Sequence, residues 1–252
     1  MLNSAFSNNF SGIVWRIKTD EVSQLLAVES RDSDTGMPSF SVIHYPTGSV
    51  LLHELHYGDR WWTIAGIHQG MLIVQAMSEA GPAAEGLAAI DCQTGKVVWE
   101  TFQYRLQMLT NEGIFVYHRM LSGPPGELIS FESGTLLVPN ADPSFFKPIP
   151  NQVALPVMYE GQKPSWLNAE TIHGPLFYCL YGQETLWAWH EPDNNAYNLR
   201  LRTEAGGKNP SNTLLLEHLP KLLLEPFFLL DGQIFCVTHT NRGISSYNLL
   251  TK

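Results

Sequence analysis

The sequence predicts an all-β chain: a β-propeller of about five four-stranded antiparallel blades, closed by an N-terminal strand that completes the last blade. Three observations predict it. A hairpin with an apolar strand on each side of a Thr-Gly or Ser-Gly turn recurs along the chain. With its upstream strand, each hairpin belongs to a unit of three or four antiparallel strands of about 40–47 residues, the period of a propeller blade. The last copy stops short of its final apolar strand, and a strand of that kind stands near the start of the chain.

Taken in order, GIVWRIK at 12–18 is the first apolar strand, and QLLAVESRD at 24–32 the second. SFSVIHYPTGSVLLHEL at 39–55 then forms a hairpin around Gly48. GMLIVQAMS at 70–78 leads to the hairpin GLAAIDCQTGKVVWETF at 86–102, turning at Gly95. GIFVYHRML at 113–121 leads to GELISFESGTLLVP at 126–139, turning at Gly134. A tight hairpin needs positive φ, which glycine adopts without a steric cost.

Residues 139–172 break the pattern. Pro139, Pro143, Pro148, Pro150, Pro156 and Pro164 make this a proline-rich excursion around short strands such as VALPVMYE at 153–160. Three strands follow at 174–202, and 204–213 reads as a loop. LLLEHLPKLLL at 214–224 fits a short helix or a strand pair, because Pro220 interrupts both patterns. The final strands, 227–250, turn at Asp231-Gly232 and end in YNLLTK. Setting YNLLTK before GIVWRI reproduces IDCQTGK before VVWETF, so strand 12–18 is expected to finish the last blade, with Trp15 in the place of Trp99. Closure of this kind removes exposed sheet edges.

Composition narrows the function. The chain of 252 residues, 44% hydrophobic, suits a single domain, 1–252. Fifteen Lys and Arg against 24 Asp and Glu give a net charge of −9, which argues against a nucleic-acid partner. The segment 214–230 is apolar, but Glu217, His218, Pro220, Lys221, Glu225 and Pro226 interrupt it, so no membrane span is expected. The start carries no charged n-region or continuous apolar run, and Cys92, Cys179 and Cys236 are odd in number and far apart. Buried free thiols and a cytoplasmic location are expected.

The stretch AIDCQTGKVVWE resembles the repeat of quinoprotein-type β-propellers, over 87–100 and more loosely over 39–55. The resemblance implies that Trp99, and by permutation Trp15, packs between neighbouring blades. It does not bring the cofactor. The sequence has no adjacent cysteine pair, and the calcium carboxylates of that family find no match, so no cofactor or metal is expected.

Linear catalytic motifs are absent from the sequence: it contains no G-x-S-x-G, G-x-G-x-x-G or complete phosphate loop. His53 and His56 are three apart, which on a strand puts them on opposite faces. Asp34-Thr35-Gly36 sits in polar surroundings without a second copy and reads as a turn. Asp32 and Asp34 do not open a calcium loop, because Gly36 is misplaced and no Glu closes the loop in register. His44, His118, His190 and His239 fall in or just after strand-like runs. Tryptophan is dense at Trp61-Trp62, at Trp166, and at Trp187 and Trp189, which share a strand face. These rings either stack between blades or form an aromatic platform for a carbohydrate or peptide. The expected function is a non-catalytic binding or scaffold module that holds a protein or small-molecule ligand with its face loops and the 139–172 excursion. The alternative is an enzyme with a pocket on the propeller axis, such as a metal-assisted hydrolase, whose His and carboxylates come from separate blades.

Overall fold

A computed structural model describes residues 2–79, 84–121, 123–151, 153–168, 171–205 and 210–249. The first strand is β1 (Asn3–Asn9). Beyond it the chain forms two compact units, one of Phe10–Asn151 and one that joins Met1–Asn9 to Gln152–Lys252.

In the Phe10–Asn151 unit, three four-stranded antiparallel sheets follow one another. The first is β2 (Ile13–Asp20), β3 (Leu25–Arg31), β4 (Pro38–His44) and β5 (Ser49–Leu55). The second is β6 (Trp62–His68), β7 (Met71–Met77), β8 (Ala84–Asp91) and β9 (Val97–Thr101). The third is β10 (Tyr104–Leu109), β11 (Ile114–His118), β12 (Gly126–Ile129) and β13 (Leu136–Ala141). In every sheet the strands are in chain order, as in a meander. A 3-10 turn at Pro143–Phe145 is capped by Asp142, whose carboxylate accepts from the Ser144 amide.

Turn chemistry fixes the strand ends. Asp91 Oδ1 accepts from the Gln93 and Thr94 amides at 3.0 and 2.7 Å and from Thr94 Oγ1 at 2.9 Å. The Gly95 amide returns a bond to the Asp91 carbonyl at 2.9 Å, closing the turn at φ 68°. The same design recurs at Asp32–Gly36, where Asp32 Oδ1 accepts from the amides of Asp34 and Thr35. Asp34-Thr35-Gly36 is therefore a β3–β4 turn. At Ser130–Gly134 a hydroxyl replaces the carboxylate. Gly48 and Gly134 close their turns at φ 72° and 65°.

The sheets join through their sides. The Leu52 side chain of β5 crosses to the Gly95 turn of the second sheet, where a Cβ would lie 2.9 Å from Leu52 Cδ1. Trp99 of β9 makes the corresponding contact with Gly134 of the third sheet, and its Nε1 donates to the Phe131 carbonyl at 2.8 Å. Each of these residues lies four positions after its own turn glycine. Between the first two sheets, buried Glu29 bonds Arg31 at 2.7 Å, Thr63 Oγ1 at 2.7 Å and the Ile64 amide at 2.9 Å. Arg31 reaches on to the carbonyls of Gly36, Arg60 and Trp62. The charge pair is thus fully bonded, as burial requires.

The second unit contains a five-stranded sheet, β14 (Val157–Met158), β15 (His173–Tyr181), β16 (Glu184–Asp193), β17 (Ala196–Ala205) and β18 (Ser211–Leu219). Residues 214–219, open between helix and strand in the sequence, lie in β18. Of the loop expected at 204–213, residues 206–209 are outside the described residues, as are Thr251 and Lys252. The other sheet is β19 (Phe228–Leu230), β20 (Gln233–Val237), β21 (Gly243–Asn248) and β1. Leu186, Ala188, Leu199, Leu201, Ile234 and Cys236 are among its shared apolar core. All three cysteines are buried and free. Among the described residues, no helix is long and apolar enough to cross a membrane.

One expectation is corrected. Residues 12–18 do not complete the last sheet. Residues 13–18 lie in β2, which pairs with β3 from Ile13↔Arg31 to Asp20↔Leu25. β1 occupies the expected place, from Asn3↔Asn248 to Asn9↔Gly243. The sequence comparison sought an apolar strand with a tryptophan, whereas β1 is the polar NSAFSNN, held by its backbone ladder and by Phe6 packed on Phe235 at 6.2 Å. Trp15 consequently has no docking role like that of Trp99, and it is 63% exposed.

Candidate functional site

Alternation along β16 separates two faces. Leu186, Ala188 and His190 turn into the core, while Trp187, Trp189 and Glu191 share the opposite face. Across the ladder, Trp187 faces Tyr178 of β15 and Arg202 of β17, and Trp189 faces Arg200. The proline-rich excursion supplies the cover. After β14, the Tyr159 amide bonds to the Leu176 carbonyl at 2.8 Å, and a turn at Pro164–Leu167 brings in Trp166.

Five rings meet there. Tyr159 lies 5.0 Å from Trp187 and 5.6 Å from Tyr178, Trp166 lies 6.1 Å from Trp187 and 5.7 Å from Trp189, and Tyr178 lies 5.8 Å from Trp187. The Tyr159 pairs and Trp166–Trp187 are edge-to-face and the other two are tilted, and aromatic pairs of this kind each add about 0.5–1.5 kcal/mol beyond burial. Two parallel relays give the cluster polar handles. Trp187 Nε1 donates to Glu204 Oε2 at 3.1 Å, and Arg202 Nε donates to Glu204 Oε1 at 2.8 Å. Trp189 Nε1 donates to Glu191 Oε1 at 3.0 Å, and Arg200 Nε to Glu191 Oε2 at 2.9 Å. The Arg202 guanidinium also lies 4.2 Å over the Trp166 ring. The cluster sets aromatic rings beside the part-exposed carboxylate–guanidinium pairs Glu191–Arg200 and Glu204–Arg202.

The structure thus gathers Trp166, Trp187 and Trp189 and leaves out the other two, with Trp189 buried at 4% exposure against Leu167 and Leu176 as the floor of the cluster, and Trp166, Trp187 and Tyr159 half-buried above it. Trp62 is a core residue, 4.8 Å from Tyr57 and 6.3 Å from Phe102. Trp61 lies under Arg60 at 4.9 Å, in the other unit. The rings stack on their own sheet and the excursion.

Among the described residues, no three His, Cys, Asp or Glu side chains are arranged to hold a metal. His56 bonds Ser39 Oγ at 3.1 Å, while His53 sits exposed 3.8 Å from Glu54. Buried His190 accepts the Leu223 amide on Nε2 at 3.1 Å, which leaves its Nδ1 protonated and without a partner among the described residues. Burial, with the charge of His173, pulls its pKa down to about 4. Asp20 is also buried. Burial opposes its charge, but His68 at 3.7 Å and the Ser23 amide hold its carboxyl below the usual range. Burial pushes the Cys92 thiol up to about 12, so it is an inert core group.

The arginines and carboxylates of the cluster escaped the sequence reading. Their signal was there: LRLRTE of β17 alternates against WAWHE of β16, which places charge and rings on one face.

Comparison with known proteins adds a family match. Residues 19–99, the end of β2 to Trp99, match a family described as Domain of unknown function (DUF4905). No curated protein matches the chain.

Proposed function

We propose that the five sheets are blades of a β-propeller and that the chain is a non-catalytic, cytoplasmic binding module whose aromatic cluster recognises a carbohydrate. The meander order of the sheets and the pairing of β1 with β21 support the architecture. The observation that carries the function is the grouping of Tyr159, Trp166, Tyr178, Trp187 and Trp189 around two carboxylate–arginine pairs. Sugar CH faces pack on indole rings, and hydroxyls can donate to a carboxylate and accept from a guanidinium in the same plane.

A glycan array followed by calorimetric titration of the best hit tests this reading. Trp166→Ala should weaken binding at least tenfold with the circular dichroism spectrum unchanged, and Trp166→Phe should retain part of it. Absence of any saturable glycan, or equal affinity in Trp166→Ala, overturns it.

A further inference from the structure

A second surface lies in the Phe10–Asn151 unit and is independent of the aromatic cluster. The first strands of its three sheets share one irregularity. Pairing slips in β2 between Val14 and Arg16, in β6 between Ile64 and Gly66, and in β10 between Leu106 and Met108. Trp15, Ala65 and Gln107 are the extra residues, left out of the ladder and re-aimed as bulges do. The bulges are neighbours. Arg16 Nη1 donates to the Ile64 carbonyl at 3.1 Å, and a Cβ on Gly66 would lie 2.3 Å from Leu109 Cδ1.

The chemistry of this edge differs from the rest of the chain. Trp15 is exposed, with the Arg31 guanidinium 5.4 Å from its ring centre, and Lys18 and Gln107 are exposed as well. Formal charges on β2, β6 and β10 are Arg16, Lys18 and Arg105 against Asp20. Asp20 is buried and bonded to the amides of Val22, Ser23 and Gln69. A chain with a net charge of −9 therefore carries an exposed lysine, Lys18, with half-buried Arg16 on the strand whose bulge sets out the open Trp15 indole. The lysine attracts an anion, and the indole supplies a flat apolar contact.

We propose that this bulged edge binds a small aromatic carboxylate, with its ring against Trp15 and its carboxylate paired with Lys18 beside Arg16. The test is calorimetric titration of the full chain at fixed ionic strength with benzoate, and with benzamide as the uncharged counterpart. Benzoate should bind saturably and benzamide at least tenfold more weakly. Lys18→Gln and Trp15→Ala should each weaken benzoate tenfold or more without changing glycan binding at the aromatic cluster. Both side chains are exposed, so the fold should survive; if Trp15→Ala unfolds, Trp15→Phe keeps the ring and should retain binding while Lys18→Gln still loses it. Equal binding of benzamide, unchanged affinity in Lys18→Gln, or no saturable benzoate binding overturns the proposal.

Discussion

The Trp99 indole lies directly over Gly134, close enough that a methyl group on the glycine would sit 2.7 Å from Trp99 Cδ2. Gly134 also holds φ at 65°. Gly36 has a similar φ, 71°, with nothing within 4 Å of the site of a Cβ. Gly36→Ala should therefore cost about 1 kcal/mol, the conformational penalty alone. Gly134→Ala adds overpacking of about 1–3 kcal/mol. Thermal melts should separate the two by several degrees, and equal melting temperatures would show that the indole is free to yield.

Glu29→Ala should be among the most damaging single changes in the Phe10–Asn151 unit. It strands the Arg31 guanidinium and removes the acceptor for Thr63 and the Ile64 amide. Breaking one partner of a buried pair costs about 3–5 kcal/mol. Chemical denaturation measures this, and Glu29→Gln, which keeps an acceptor, should lose less.

Acid should loosen the second unit through His190. Its folded pKa, about 4, lies below the ordinary 6.5, so the unfolded chain takes up the proton more readily. The stability it contributes is present above pH 6.5 and is lost as pH falls towards 4. The loss is about 1–3 kcal/mol. Protonation on Nε2 also removes the acceptor for the Leu223 amide. Denaturant titrations between pH 7 and 4 should show a flatter dependence in His190→Gln.

Removing residues 2–9 should expose the β21 edge and strip Phe6 from Phe235. An open edge templates association with other chains. A lower melting temperature with concentration-dependent light scattering is expected, whereas an unchanged melt would show that β1 is dispensable.

Strands with apolar alternation and Thr-Gly turns were legible from the sequence because their signals are local. The D-x-x-T-G turn at Asp91 carries its donors and acceptor within five residues, so composition alone specifies it. β1 was not legible in this way. Its place depends on a ladder with a partner far along the chain, and NSAFSNN has no apolar stripe to announce it. The site was half legible for a related reason. The two-residue spacing of Trp187 and Trp189 announces a shared face, but the arrival of Trp166 and Tyr159 depends on how the proline-rich excursion turns back. Trp62, grouped in the sequence with the rings of a candidate aromatic platform, is core, because the positive-φ turn at Gly58 leaves no room beside its indole.

The pairing of β1 with β21 sets an order on folding during synthesis. Ser7 and Ser245 share a hydroxyl contact although 238 positions separate them. A strand made so long before its partner must wait for it, and closing so long a loop carries a large entropic cost. Until then β1 is a waiting strand with unsatisfied amides. Its polar, asparagine-rich sequence keeps it solvated through that interval, when a greasier strand would seek the wrong neighbour.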